Sequence, residues 1–340
     1  MGKKTSQTLV ALFMSIALIW ALATTKDMNW PSLLTQLNNA HLGWVGLAAT
    51  LLLVEFYIRA LRWSILLRPL GTEGKILDLW SATVIGAAVN TIGFRAGEIA
   101  KPFVAVRRTG YSMSGVIATN VMERVFDLLG LVSILLLMVL TISEVPGDEQ
   151  LIFNLYKYGG YLGCIALLAM TTFFVLATRE QAARSLFVRI LSIVPSPARP
   201  PFLSLFDGFV AGLGSSRDKR SLWTSAALSI GIWVNGAMAI WVLFLAFGFE
   251  LSFAAACCTG VAVALASVLP QVGNVTVIAA TVVTMTLWGI APDPAGAFAL
   301  VFWAVSFVPV TGVGLIAMWR EGLSVSKIST QSQNESPKGG

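Results

Sequence analysis

Long apolar runs are the feature that most constrains how this chain can fold. A helix needs about 20 apolar residues to cross the roughly 30 Å hydrocarbon core of a bilayer. Six runs reach about that length: residues 7–24, 43–65, 116–141, 159–178, 222–247 and 297–319. Only 12% of the residues are charged, and the alternating segments that build a membrane barrel are absent. The sequence therefore predicts an all-α polytopic membrane helix bundle.

Two further apolar segments do not fit a single uninterrupted span. Residues 78–93 form a short run between Lys75 and Arg95, and residues 253–288 are interrupted by Pro270-Gln271-Val272-Gly273-Asn274. Irregular backbone at membrane depth is tolerated only where it is buried in protein or lines a cavity. We expect both segments to be broken or re-entrant, so that the bundle has about six full spans and two broken segments.

The basic residues indicate the orientation, because cytoplasmic loops of membrane proteins carry an excess of Lys and Arg. With the N-terminus in the cytoplasm, all of the 23 basic residues except Lys26 and Lys157 fall on the inner side. The net charge of +6 is thus a signal of membrane orientation and does not indicate nucleic acid binding. Both termini are predicted to be cytoplasmic, with residues 1–322 as the integral membrane domain and residues 323–340 as a disordered tail.

This orientation also predicts how the two broken segments enter the membrane. Both flanks of residues 78–93 are cytoplasmic, so that segment must enter and return on the same side. By parity, residues 253–288 enter and return from the outside, either as a re-entrant hairpin or as two short spans. Opposite entry sides are typical of an inverted-topology repeat, in which broken helices meet at the substrate site. The predicted repeat halves are residues 43–141 and 222–319.

Charged residues at membrane depth are concentrated in two stretches. The first is Gly93-Phe94-Arg95-Ala96-Gly97-Glu98-Ile99-Ala100-Lys101-Pro102, followed by Arg107-Arg108. The second is Glu123-Arg124-Val125-Phe126-Asp127, which opens an apolar run. Such charges cost several kcal/mol each unless they are paired or hydrated, so a membrane protein that keeps them usually uses them.

Helical spacing places the second stretch on a polar helix face. Asn120, Arg124 and Asp127 fall at i, i+4 and i+7, and Glu123 lies on the adjoining face. Because these side chains cannot all reach the membrane edge, they are expected to face the interior of the bundle. They are predicted either to bind a ligand or to tie down the preceding charged stretch.

A second polar face lies on the span at residues 43–65. Glu55, Arg59 and Arg62 follow the same i, i+4 and i+7 spacing. In the functional interpretation, the planar forks of the arginines bind a lipid phosphate at the inner leaflet. In the alternative, Glu55 and Arg59 form an ion pair and the arginines anchor the helix at the inner membrane edge.

The run R-A-G-E-I-A-K-P, the R-R-T-G after it and the later V-M-E-R-V-F-D-L-L-G-L resemble one known family in order and spacing. This is the lysylphosphatidylglycerol synthase transmembrane-region family, also called flippase-like integral membrane proteins, and the resemblance extends over about residues 5–322. It implies a lipid-translocating domain, here without the aminoacyl-transferase domain to which relatives are fused. The resemblance also nominates one cytoplasm-facing polar site, formed by Arg95, Gly97, Glu98, Glu123, Arg124 and Asp127.

The second broken segment departs from the family pattern, in which a proline is followed by a Gly-rich turn and a glutamate. Pro270 and Gly273 remain, but Asn274 and Thr276 occupy glycine-like positions. Ala279 stands near the position where the acid is expected. Gln271 and Asn274 could still form hydrogen bonds with a headgroup.

These features predict a bacterial inner-membrane protein that moves an amphipathic lipid, of an anionic phospho- or isoprenoid type, between leaflets. Arg95, Arg124 and Arg59 would pair with the headgroup phosphate, while the carboxylates balance the arginines or exchange protons. Glu98 is expected to serve Arg95 as a counter-charge or to carry protons. The alternatives are a lipid-modifying transferase and a non-transporting scaffold of an envelope lipid or polysaccharide synthesis complex.

The chain is predicted not to be an enzyme and to need no cofactor or metal. His41 is the single histidine, and Cys164, Cys257 and Cys258 lie inside apolar runs, so no metal cluster or disulfide framework is expected. The expected partner is a membrane lipid, with no nucleic acid. A homo-oligomer and partners in envelope synthesis are left open.

Overall fold

The computed structural model describes residues 35–36, 38–71, 74–92, 96–141, 160–161, 168, 180–191, 203, 219–268 and 275–322. The described helices are α1 (Leu42–Leu67), α2 (Ile76–Ile92), α3 (Gly97–Thr109), α4 (Met113–Thr141), α5 (Glu180–Leu191), α6 (Lys219–Ala246), α7 (Phe253–Val268), α8 (Val275–Leu287) and α9 (Pro292–Arg320). The predicted span at 7–24, most of the one at 159–178 and the tail from residue 323 lie outside the described residues. The described part of the chain contains no strand, so the all-α prediction is confirmed.

Four helices are long and apolar enough to cross a membrane: Leu42–Leu70, Met113–Thr141, Arg220–Ala246 and Pro292–Arg320. They coincide with four of the six predicted spans, which confirms a polytopic membrane bundle. The last helix begins five residues earlier than residue 297, where the apolar run starts. Pro292 at its first position and Asp293 in its first turn favour a helix start there, because proline lacks only a donor that would be unpaired anyway.

The first broken segment forms a helical hairpin together with α3, but the return predicted within residues 78–93 is wrong. Residues 78–92 belong to the uninterrupted helix α2, and α3 brings the chain back. Arg108 in the last turn of α3 donates a hydrogen bond to Asp78 Oδ1 in the first turn of α2, at 2.5 Å. The start of α2 and the end of α3 therefore lie at the same end of the bundle. The two helices pack at glycine, because a Cβ on Gly97 would overlap the carbonyl oxygen of Gly86.

The second broken segment is also divided into two short helices, α7 and α8, on either side of residues 269–274, which lie outside the described part. Phe249, between α6 and α7, packs against Phe298 near the start of α9, with ring centroids 5.9 Å apart. The start of α7 and the end of α8 are thus both held near the end of α6. This is the arrangement of a second hairpin.

The two hairpins begin and end at opposite ends of the bundle. The amide of His41, at the start of α1, donates to the carbonyl oxygen of Ala246, at the end of α6, at 2.8 Å. This end also holds the α7–α8 hairpin. At the other end, Glu321, just after α9, accepts a hydrogen bond from Ser81 and pairs with Arg108 at 2.9 Å.

The helices on either side of α5 repeat one order of lengths. Helices α1 to α4 have 26, 17, 13 and 29 residues, and helices α6 to α9 have 28, 16, 13 and 29. Their packing repeats as well, since α2 packs on α9 as α7 packs on α4, while α1 packs most extensively on α6. Helix α5 is amphipathic, with Arg184 and Arg189 exposed and Leu191 buried.

Candidate functional site

Charged side chains from three helices meet inside the bundle in one network. It contains Glu55, Arg59 and Arg62 of α1, Glu98 and Lys101 of α3, and Glu123, Arg124 and Asp127 of α4. The structure thus brings together all of the charged site residues that the sequence nominated within its described part. Four acidic and four basic groups belong to this network, so its formal charges balance.

Arg62 forms the buried centre of the network. Its side chain is 1% exposed and its Nη1 donates to Asp127 Oδ1 at 2.8 Å and to Ser229 Oγ at 2.7 Å. Its Nη2 lies 3.6 Å from Glu123 Oε1. Arg62 therefore ties α1 to α4 and α6, and it does not reach the membrane edge as an anchor would.

Lys101 links α3 to the same centre. Its Nζ donates to Oε2 of the buried Glu123 and lies 4.0 Å from the centre of the Trp63 ring, a cation–π contact. The Trp63 ring is fixed in turn, because its Nε1 donates to Thr119 Oγ1 at 3.0 Å. These contacts hold the short helix α3 against α1 and α4.

The remaining ion pairs are more accessible. Arg59 donates through Nε and Nη2 to Glu55 Oε1, at 2.9 and 2.8 Å, and lies 3.6 Å from Asp127 Oδ1. Arg124 pairs with Glu98, and its side chain is 64% exposed. A ligand could therefore replace Glu55 or Glu98 as the partner of these arginines without disturbing Arg62.

The start of α3 is positioned by α2. The amide of Gly97 donates to Asn90 Oδ1 at 2.8 Å, and the same glycine lies against Gly86. A side chain at position 97 would collide with both neighbours, so glycine is needed here for close approach. This contact places Glu98 at the start of the helix, where it faces Arg124.

A cavity of about 420 Å³ lies beside the network, between α1, α4, α6 and α7. Part of its wall is charged and is formed by Glu55, Arg59, Arg124 and Asp127. The rest is largely apolar and includes Leu131, Ile134, Ile240 and Phe302. The cavity thus offers charged groups and an apolar surface to one ligand.

A second cavity of about 340 Å³ lies between α3 and α4, on the other side of Arg124. Glu98 and Asn120 line it together with exposed apolar residues such as Ile99 and Ile117. The Oδ1 of Asn120 is buried and has no partner among the described residues. Arg124 lines both cavities, and its pair with Glu98 therefore stands at their boundary.

A family comparison agrees with this architecture. Residues 8–314 match the family model described as lysylphosphatidylglycerol synthase TM region. The chain belongs to this family. No curated protein and no solved structure matches the chain. With its four described spans, this member of the lysylphosphatidylglycerol synthase transmembrane-region family is a multi-pass membrane protein. The family ties it to lipid biosynthesis or transport.

Some of the site residues that the sequence predicts for this family member lie outside the described residues. They are Arg95, which precedes α3, and Pro270, Gln271, Gly273 and Asn274, between α7 and α8. On α8, Thr276 has a buried Oγ1 without a partner in the described part of the chain, and Ala279 is exposed.

The structure adds residues to the site that sequence reasoning missed. Lys101 stood in the recognised motif, three residues after Glu98, and that spacing could have identified it as part of the same helix face. Trp63, Thr119 and Ser229 carried no such signal, because isolated tryptophans and hydroxyl residues are common in apolar spans. Within the described residues, no group of three His, Cys, Asp or Glu side chains is placed to hold a metal ion.

Proposed function

We propose that this protein moves an amphipathic lipid with an anionic phosphate headgroup between the leaflets of a bacterial cytoplasmic membrane. The observation that carries this proposal is the cavity of about 420 Å³, which has both a charged and an apolar wall. An amphipathic lipid is likewise divided into a charged headgroup and apolar tails. Its headgroup would lie against Arg59 and Arg124, and its tails against the apolar side chains or in the bilayer.

The two accessible arginines suit a phosphate ligand. A guanidinium presents a planar fork of donors, which can bind two oxygens of one phosphate. In the absence of lipid, Glu55 and Glu98 hold Arg59 and Arg124 in place, so that neither charge is left unpaired inside the protein. When a carboxylate again takes the place of the phosphate, the headgroup would be released and the arginine would keep a charged partner.

The balance of charges gives Arg95 a defined role in this proposal. The described network has four positive and four negative groups, so an added phosphate leaves it with excess negative charge. Arg95 precedes Glu98 by three residues and would supply a fifth positive charge. The alternative is that a carboxylate takes up a proton when the lipid binds.

We further propose that helices α1–α4 and α6–α9 are inverted repeats that rock around this cavity. The repeated helix lengths, the matching pairs of packed helices and the opposite ends of the two hairpins support this proposal. Alternating access in transporters is commonly achieved by such movement of one repeat against the other. The excess of basic residues would place the end with Arg108, and both termini, in the cytoplasm.

The transferase and the scaffold remain rivals, and neither is favoured by a particular contact. We propose that the chain is a carrier that performs no covalent chemistry. A lipid-sidedness assay separates the three functions. The protein is reconstituted into vesicles with fluorescent phosphatidylglycerol, and an impermeant quencher added outside reports movement of the probe between leaflets.

With the wild-type protein, the fluorescence that is protected from the quencher should be lost rapidly. With Arg124→Ala, this protected fluorescence should persist. Arg124→Lys should restore only part of the rate, because Lys supplies charge without the bidentate fork. Arg108→Ala is a matched control, since Arg108 is also an ion-paired, partly exposed arginine but lies away from the cavity. A well-reconstituted Arg124→Ala protein with full activity would contradict the proposal, and a modified lipid product would indicate the transferase.

A further inference from the structure

A tryptophan side chain in the main cavity has a donor that the ion-pair network does not use. Trp233 of α6 lines the cavity, and its buried Nε1 has no hydrogen-bond partner among the described residues. An indole N–H can only donate, so a lipid oxygen is a suitable partner and a lipid ammonium group is not. A buried donor without a partner is costly, which favours a ligand that supplies an acceptor.

Two glycines fix where this indole lies. A Cβ on Gly130 would overlap Cδ1 of Trp233 and lie 2.5 Å from its Nε1, so the N–H edge of the ring lies against α4, three residues beyond Asp127. On α6, Gly236 follows Trp233 by three residues, and a Cβ there would lie 3.4 Å from Glu55 Oε2. The indole is thus about one helical turn from Glu55 and from Asp127. It stands where the charged wall of the cavity gives way to the apolar one.

We infer that the Trp233 N–H binds an oxygen at the junction between the headgroup and the tails of the lipid. The inference rests on the proposed lipid transport. This oxygen is either a phosphate-ester oxygen or the carbonyl oxygen of a glycerol ester, since both lie between the charged and apolar parts of a phospholipid. Every described cation of the network already has a carboxylate partner, whereas this N–H can bind an oxygen without breaking an ion pair. Tryptophan suits such a boundary, because its ring is apolar and its N–H is polar.

The test measures equilibrium binding of fluorescent phosphatidylglycerol to the purified full-length protein. Trp233→Phe removes the N–H and keeps an aromatic ring, and it should weaken binding about tenfold, the effect of one hydrogen bond to a charged or strongly polar acceptor. Binding of fluorescent diacylglycerol, which lacks the phosphate, should change much less if the Trp233 partner is a phosphate-ester oxygen. An ether-linked phosphatidylglycerol probe distinguishes the two acceptors, because it lacks the ester carbonyl.

Trp303→Phe is the matched control. The Trp303 Nε1 is also buried and without a partner in the described part of the chain, but Trp303 does not line the cavity. This variant should bind phosphatidylglycerol as the wild-type protein does. A similar loss in both variants would mean that the Trp233 effect is structural, and the inference would be wrong.

Two other outcomes separate this inference from the proposed function. Unchanged binding by Trp233→Phe, together with loss of binding by Arg124→Ala, overturns the role of Trp233 and leaves the lipid site in place. If the wild-type protein does not prefer phosphatidylglycerol over diacylglycerol, both the role of Trp233 and the proposed phosphate-lipid site are wrong. A loss by Trp233→Phe seen only with the ester-linked probe supports binding to the carbonyl oxygen.

Discussion

The two sets of four helices have similar lengths and packing but very different charge. Helices α1 to α4 contain the eight-residue ion-pair network, whereas charged residues in α6 to α9 occur only in the first or last turns. These are Lys219, Arg220, Asp293 and Arg320. The same helix arrangement is thus built without interior ion pairs in the second set. The charges of the first set are not a requirement of the architecture, which favours a role for them in ligand binding.

Equivalent positions in the two sets make this contrast specific. Counted from the first residue of each helix, Glu98 corresponds to Thr276, Arg124 to Trp303 and Asp127 to Ser306. The three residues of the second set are uncharged, and each has a buried polar atom with no partner among the described residues. If the proposed lipid transport is correct and the sets alternate in opening to the two sides, the phosphate would contact ion-paired arginines on only one side.

The largest difference is expected in cysteine labelling, which tests whether the two hairpins begin and end on opposite sides of the membrane. Single cysteines would replace the exposed Lys75 and Ser112, which flank α2 and α3, or the exposed Glu250 and Ala291, which flank α7 and α8. In a cysteine-free background, an impermeant thiol reagent added to intact cells should label the second pair and not the first. The expected difference is all-or-none, because a charged reagent does not cross the bilayer.

Permeabilised cells provide the control, since all four cysteines should then be labelled. If the cysteine that replaces Ser112 is labelled from outside and the one that replaces Lys75 is not, the α2–α3 segment crosses the membrane. The proposal of inverted repeats would then be wrong, although the ion-pair network would still stand.

The next largest effect is expected for Arg62, the buried centre of the charged set. Arg62→Met removes the described cation that is hydrogen-bonded to Asp127 and leaves the described network with one excess negative charge, so it should reduce stability by about 3–5 kcal/mol. Thermal unfolding of the purified protein and its abundance in membranes measure this loss. The control is Arg320→Met, the same substitution at an exposed position in the second set, with an expected change within about 0.5 kcal/mol. Equal stability of both variants would show that the network contributes little to the fold.

Much of the architecture was predictable because membrane thickness sets the length of a span, and basic residues on both sides of a short segment favour a return to the same end. The lengths of the apolar runs located the four described spans. The basic residues on both sides of residues 78–93 predicted that the chain returns to the same end, as the contact between Arg108 and Asp78 shows, but α3 and not this segment makes the return. The pair of Glu55 with Arg59 also followed from local spacing, since residues four apart share a helix face.

The contacts within the site were less predictable because they depend on how distant helices pack. The sequence suggested Arg62 as a headgroup ligand or an anchor, but Asp127 and Ser229 reach it from two other helices and bury it. Glu98 was assigned to Arg95 because the two are close in sequence. The structure pairs Glu98 with Arg124, on another helix, while Arg95 lies outside the described residues.

The smallest effect is expected for Glu98, whose pair with Arg124 is the most exposed in the network, with side chains 44% and 64% accessible. Such a pair contributes only about 0–1 kcal/mol to stability, so Glu98→Gln should unfold as the wild-type protein does. It removes the carboxylate that competes with a phosphate for Arg124, and fluorescent phosphatidylglycerol should therefore bind a few-fold more tightly. If Glu98 is only a counter-charge, this gain declines with added salt, since salt screens exposed charges. If Glu98 carries protons, binding stays unchanged and transport loses its response to a pH gradient. Binding measured across pH and salt, with transport measured with and without a gradient, decides whether the charged set only holds the lipid or also couples its movement to protons.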